Sequence, residues 1–159
     1  MSTSATTTTA TTHGSRQVDV RGPRFAAWIT TAVLVVVLVV ASVSTAVAGV
    51  LLAAQTVVFA AGAALGPRRS PYGLLFARFV APRSSAPTET EPVAPLRFAQ
   101  LVGFVFAAVG TFAFLLGADL TGLVATGFAL FAALLNAAFG VCLGCRIYPL
   151  VARFRAVAA

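Results

Sequence analysis

"FAAWITTAVLVVVLVVASVSTAVAGVLLAAQTVVFAAGAAL" runs from Phe25 to Leu65 and carries no charged side chain. As one helix, at about 1.5 Å per residue, it would be roughly twice the ~30 Å hydrocarbon core of a bilayer. It must fold back once. The small, polar "SVSTAVAG" (Ser42–Gly49) is the natural turn. This predicts helix 1 near 25–44 and helix 2 near 47–65. Ala46-Val47-Ala48 also matches a signal-peptidase site, but the apolar run ahead of it exceeds the ~7–15 residues of a signal peptide. The stretch reads as a span.

The rest of the chain agrees. It is 59% hydrophobic with a mean hydropathy of +0.96, and only 9% of its residues are charged. A soluble domain carries about a quarter. The composition is that of an integral membrane protein in contact with the lipid bilayer. The net charge of +7 comes entirely from arginine. Those arginines lie in short segments beside apolar runs, a pattern of membrane orientation rather than of nucleic-acid binding.

Residues 1–17 form a Thr-rich, low-complexity tail that contains His13 and reads as disordered. Residues 18–159 form one four-helix membrane domain. Between the two halves lies "GPRRSPYGLLFARFVAPRSSAPTETEPVAPLR" (66–97). Its first part sets Leu74, Leu75, Phe76, Phe79 and Val80 around Arg78, an amphipathic segment for the interface. Ala81 to Pro95 is rich in Pro and Ser and reads as a flexible linker. Helix 3 follows near 98–116, "GADLTG" (Gly117–Gly122) turns the chain, and helix 4 runs near 123–143. A short basic amphipathic piece, broken at Pro149, closes the sequence.

Arg16, Arg21 and Arg24 precede helix 1. Arg68, Arg69, Arg78, Arg83 and Arg97 occupy the loop, and Arg146, Arg153 and Arg155 follow helix 4. With four spans these segments share one face, and the opposite turns carry only Asp119. The positive-inside rule places both termini and the loop in the cytoplasm of a bacterial inner membrane.

The halves also echo each other. "PRFAAWI" (Pro23–Ile29) parallels "LRFAQLV" (Leu96–Val102), and "GAALGPR" (Gly62–Arg68) parallels "GVCLGCR" (Gly140–Arg146). The expected architecture is all-α, with two parallel-repeat hairpins, N-in and C-in, and short interfacial helices. Gly62/Gly66 and Gly140/Gly144 form Gly-x-x-x-Gly pairs that would let helices 2 and 4 cross closely near the cytoplasmic face. On this alignment Ala64 and Pro67 become Cys142 and Cys145 in the second copy.

Gln55 and Asn136 lie deep in helices 2 and 4, and Gln100 near the start of helix 3. Each needs a partner in hydrocarbon: an interhelical bond, or a small-molecule site. No Asp, Glu, Lys or Arg lies mid-span, which disfavours ion-coupled pumping.

Cys142-Leu143-Gly144-Cys145 holds the chain's two cysteines. The spacing allows a redox dithiol, half of a four-sulfur metal site, or a thiolate with a resolving partner. A metal site would need a homodimer, because no other cysteine exists and the one histidine is in the tail. Small packing residues are the bland alternative. A helix C-terminus here would oppose thiolate, Arg146 would favour it, and a break at Gly144 would let Cys145 open a new turn. No P-loop, dinucleotide motif or catalytic triad is present, so no cofactor is expected.

"VDVRGPRFAA", "LLAAQTVVFAAGAALGPRRSPYGLLFARFV", "LRFAQLVG" and above all "GLVATGFALFAALLNAAFGVCLGCRIY" together resemble the bacterial membrane family called domain of unknown function 4395. The resemblance covers roughly Val18 to Phe154. An acidic residue often follows the second cysteine in that family, where this chain has Arg146. Family members are often encoded beside thioredoxin-like and thiosulfate sulfurtransferase (rhodanese-like) proteins. The resemblance therefore implies sulfur or thiol metabolism, with Cys142 and Cys145 exchanging with such a partner. An accessory subunit of a membrane complex, or a permease built on Gln55 and Asn136, are the other expectations.

Overall fold

A computed structural model describes residues 17–84 and 89–157, with side chains to Arg153. The Thr-rich tail before Gln17, with His13, and residues 85–88 of the linker lie outside them. The elements are β1 (Gln17–Asp19), α1 (Arg21–Ala41), α2 (Thr45–Leu65), α3 (Pro71–Leu75), β2 (Thr90–Pro92), α4 (Val93–Leu115), α5 (Asp119–Phe139) and α6 (Leu143–Val157). A π-helical turn (Phe76–Val80) and a 3-10 turn (Ala81–Arg83) extend α3.

Helices α1, α2, α4 and α5 are long and apolar enough to cross a membrane. They pack in a ring, α1 on α2, α2 on α4, α4 on α5 and α5 on α1. Leu34, Val37, Leu52, Ala107 and Phe114 meet at its centre. At most 33% of any span's apolar window is buried inside the bundle. The remainder, including Val39, Val50, Phe112 and Phe128, faces outward. In water so large an apolar belt would associate; hydrocarbon accepts it. These are the helices of a multi-pass membrane protein.

The first turn is tighter than "SVSTAVAG" implied. Only Ser42–Ser44 separates α1 from α2, and the Ser44 hydroxyl caps α2 by accepting from the Val47 N–H at 3.4 Å. Gly49 lies inside α2, where a Cβ would meet Leu115 at 3.1 Å and Phe114 at 3.3 Å. It serves packing, not turning.

The described part of the linker is also more regular than its composition implied. β2 pairs antiparallel with β1, Val18 opposite Glu91, and α4 starts at Val93 rather than 98. Pro95 falls in the first helical turn, where its missing N–H has no partner to lose. Arg68 donates to the Gln17 carbonyl at 3.0 Å. At Asp19, burial works against ionisation, but hydrogen bonds from Arg21 and its charge outweigh it and hold the carboxyl below its ordinary value. The N-terminal strand, the loop and α6 thus gather at one end of the bundle.

The glycine pairs act differently from the expected α2–α5 crossing. Gly62 packs on α4, where a Cβ would meet the Gln100 amide at 2.8 Å. Gly144 also packs on α4, against Ala99. Gly66 and Gly140 have φ of +89° and +66° and end α2 and α5. The shared motif therefore falls inside the helix in one half and beyond its end in the other. Gly140, like Gly66, ends a helix, whereas Gly62 lies inside one. The intervals Arg24–Arg97 and Gly66–Gly140 agree to within one residue. Gly62 and Gly144 are covered within the chain, so they offer no free contact to an accessory partner.

Gln55 is buried, 2% exposed, in α2. Tyr72 of α3 donates its hydroxyl to the Gln55 carbonyl oxygen at 2.6 Å, while the amide nitrogen has no partner among the described residues. Tyr72→Phe should cost about 1–3 kcal/mol, because it orphans the oxygen as well. Gln55→Leu should cost less, since it removes both buried amide groups and leaves only the hydroxyl of a half-buried phenol without its partner. Thermal unfolding in detergent checks the order, and the reverse order refutes this account of the pair. Burial pushes the Tyr72 phenol above its ordinary value. The folded protein then holds this proton more tightly than the unfolded chain. Its contribution is full below about pH 10 and is lost as pH rises through the higher folded value. Tyr72→Phe should remove that alkaline loss.

Candidate functional site

The end of α5 sets where the cysteines lie. The helix stops at Phe139, four residues before the expected 143, and Gly140 turns left-handed. The N–H groups of Gly140 and Val141 bond back to the carbonyls of Asn136 and Leu135 at 3.1 and 3.2 Å. Only glycine adopts such a φ without strain.

Two residues later a new helix starts. The Cys142 carbonyl accepts from the Arg146 N–H at 3.1 Å, and its sulfur accepts from the Cys145 N–H at 3.3 Å. Cys142 is thus the N-cap of α6 and Cys145 its third residue. The expected C-terminal position, with a dipole opposing thiolate, is corrected: the cysteines lie at a helix N-terminus, where exposed N–H groups stabilise negative charge. Cys142 and Cys145 are disulfide-paired, with Cα atoms 5.2 Å apart, within the usual range for a disulfide. Pro149 cannot donate to the Cys145 carbonyl, so the ladder is interrupted beneath the second cysteine.

Helix α6 is held in place by α4. Gly144 is buried against Ala99, and the rings of Tyr148 and Phe98 pack with centroids 5.9 Å apart. Arg146 is exposed.

The same device occurs after α2. The Ser70 hydroxyl accepts from the Gly73 N–H at 3.1 Å and caps α3. Cys142 thus takes the role that Ser70 takes in the first half, a thiol in place of a hydroxyl. Sequence alignment had set Cys142 against Ala64 instead.

A cavity of about 570 Å³, with Cys142 in its wall, opens between the spans and the segments packed at their arginine-rich end, among them Asp19 and Arg68. Thr30 of α1, Phe59 of α2, Gln100 and Phe106 of α4, and Asn136 of α5 line it with Cys142. Cys145 does not border it. The structure thus sets Asn136 and Gln100 in one cavity wall with Cys142 but leaves Gln55 apart, on Tyr72. The permease expectation that joined Gln55 with Asn136 is not supported by their positions. Arg97 donates to the Ala63 and Ala64 carbonyls at 2.8 and 2.7 Å and seals the end of α2, a role the sequence did not show. Among the described residues, no three of His, Cys, Asp and Glu cluster as metal ligands do.

The family described as "Domain of unknown function (DUF4395)" matches residues 18–153. The chain belongs to this family. The matched region contains all four spans, the cysteine pair and the cavity. No curated protein and no solved structure matches the chain. What this DUF4395 chain does must therefore be argued from its own site.

Proposed function

We propose that this protein is a membrane thiol–disulfide exchange protein, with Cys142 as the attacking sulfur and Cys145 as the resolving one. The observation that carries the reading is the N-cap position of Cys142. A thiolate there receives the Cys145 N–H and faces the positive end of a 15-residue helix. Cys145, one helical turn on, reaches it for closure.

The step balances as ordinary exchange. The Cys142 thiolate attacks a partner disulfide, and one partner sulfur leaves as thiolate. Cys145, on losing its proton, displaces the second partner sulfur and closes the Cys142–Cys145 bond. The reverse sequence reduces this pair.

The fitting partner is a thioredoxin-like protein docked beside the arginine-rich end, which this reading places in the cytoplasm of a bacterial inner membrane. The gathering of β1, the loop and α6 at one end supports that orientation. The matched ends of α2 and α5 support two parallel hairpin copies.

Purified protein in glutathione buffers should move reversibly between two free thiols and none, counted by alkylation and intact mass. Cysteines locked in one state across all buffers would rule the reading out. Transfer of a sulfane sulfur to Cys142 without disulfide exchange would assign a rhodanese-like partner instead. Maleimide labelling in intact cells and in inverted vesicles reports the orientation. Labelling only from the outer face of intact cells overturns the cytoplasmic placement.

A further inference from the structure

We propose that the cavity beside Cys142 binds a lipid-soluble quinone, which takes the electrons of the cysteine pair; this rests on the exchange activity above. A dithiol that closes to a disulfide must pass on two electrons, and the site's surroundings define the acceptor. The cavity's volume of about 570 Å³ suits a ligand of quinone-ring size. Its walls are mostly apolar, with Phe59 and Phe106 from α2 and α4 among them. All four spans contribute to its wall, and residues of β1, α3 and α6 close it at the arginine-rich end, so it suits an occupant with an apolar body and a polar head.

The polar lining has two parts: Asp19, Arg21, Arg68, Ser70 and Ser84 toward the loop and β1, and Thr30 with two amides on the spans. The Gln100 and Asn136 amides border the cavity, and no described residue hydrogen-bonds either side chain. Gly62 lets the Gln100 side chain lie close against α2. Two amides with N–H groups to give match the two carbonyl oxygens of a quinone. A saturated acyl chain would leave both amides unserved. Of the two sulfurs, Cys142 borders the space and Cys145 does not. The sulfur that meets the partner is therefore also the one that meets the occupant.

The reaction balances without a further oxidant. The Cys142 and Cys145 thiols lose two electrons and two protons as the S–S bond forms. The quinone gains both and becomes the quinol. A partner dithiol then reduces the pair again by exchange. The sequence carries no motif for such a ligand, because helices from both halves assemble it.

The test uses reduced, purified full-length protein in detergent with decylubiquinone, whose fully substituted ring resists addition by thiols. One quinol should form per protein as its two thiols disappear. Ala132→Phe, which fills the cavity from α5 away from the cysteines, should slow this oxidation by about tenfold or more. Its exchange with glutathione should stay at the wild-type level. If Ala132→Phe does not fold, Asn136→Leu should slow quinone reduction by about tenfold through the lost hydrogen bond. Intact glutathione exchange with no quinone reduction overturns this inference alone. So does oxidation at the same rate in the folded cavity variants, or a phospholipid found in the cavity that quinone does not displace. Loss of glutathione exchange in the wild type overturns the exchange activity instead.

Discussion

Cys142→Ser should abolish thiol–disulfide exchange, by at least about a thousandfold, while leaving the fold intact. The hydroxyl cannot supply a thiolate at neutral pH, so the attack is lost. It can still cap α6, as Ser70 caps α3 by accepting from the Gly73 N–H. Serine is among the better N-caps, so no loss of stability is expected relative to the reduced wild type, which also lacks the cross-link. Cys145→Ser should behave differently. Cys142 still attacks, nothing resolves, and a mixed disulfide with the partner accumulates. Exchange rates with an oxidised thioredoxin, thermal unfolding and non-reducing gels together read all three results. Undiminished exchange in folded Cys142→Ser would show that the attacking sulfur is misassigned.

Gly144→Ala should be damaging for a single-methyl addition, because it strikes the seat of the cysteine helix. The new Cβ would stand 2.6 Å from the Ala99 Cα and 2.7 Å from its Cβ. Neither can swing aside, since both belong to the frame of α4. Helix α6 must move off α4, at about 1–3 kcal/mol, and carry Cys145 with it. Two controls separate this from a general intolerance of glycine loss. Gly62→Ala would meet the flexible Gln100 amide and should cost less. Gly127→Ala would meet nothing within 4 Å and should stay within about 1 kcal/mol of wild type. Unfolding midpoints and the alkylation rate of the reduced cysteines measure the series. Equal effects at Gly144 and Gly127 would refute the tight α6–α4 seat.

Much of the fold was legible because hydrocarbon imposes simple demands. The uncharged Phe25–Leu65 run had to cross twice, and the apolar runs after Arg97 had to do the same. The observed spans start and end within about five residues of those expected. The errors lie at the ends. Gly49 looked like a turn and is a packing contact, while Gly140 looked like a packing contact and is a helix terminus. Glycine permits both, so local sequence cannot choose between them.

The site was half legible. The Cys142/Cys145 spacing marked a dithiol, and Asn136 and Gln100 stood out as amides within spans. Which amides would meet the cysteines could not be read. Gln55 and Asn136 look alike in sequence, yet one is held by Tyr72 and the other borders the cavity with Cys142. That choice depends on contacts between helices far apart in the chain.

The sequence alone therefore determined the environment, the number of spans and the proximity of the two cysteines. Those follow from apolar length and from residue spacing, which are local quantities. Only the tertiary structure decided that α5 stops at Gly140 and that Cys142 caps a new helix above a cavity. The left-handed turn, the seat of Gly144 on Ala99 and the ring of four spans select that arrangement together. They turn the cysteine pair from the negative end of one helix dipole to the positive end of the next, and none of them is a property of the segment alone.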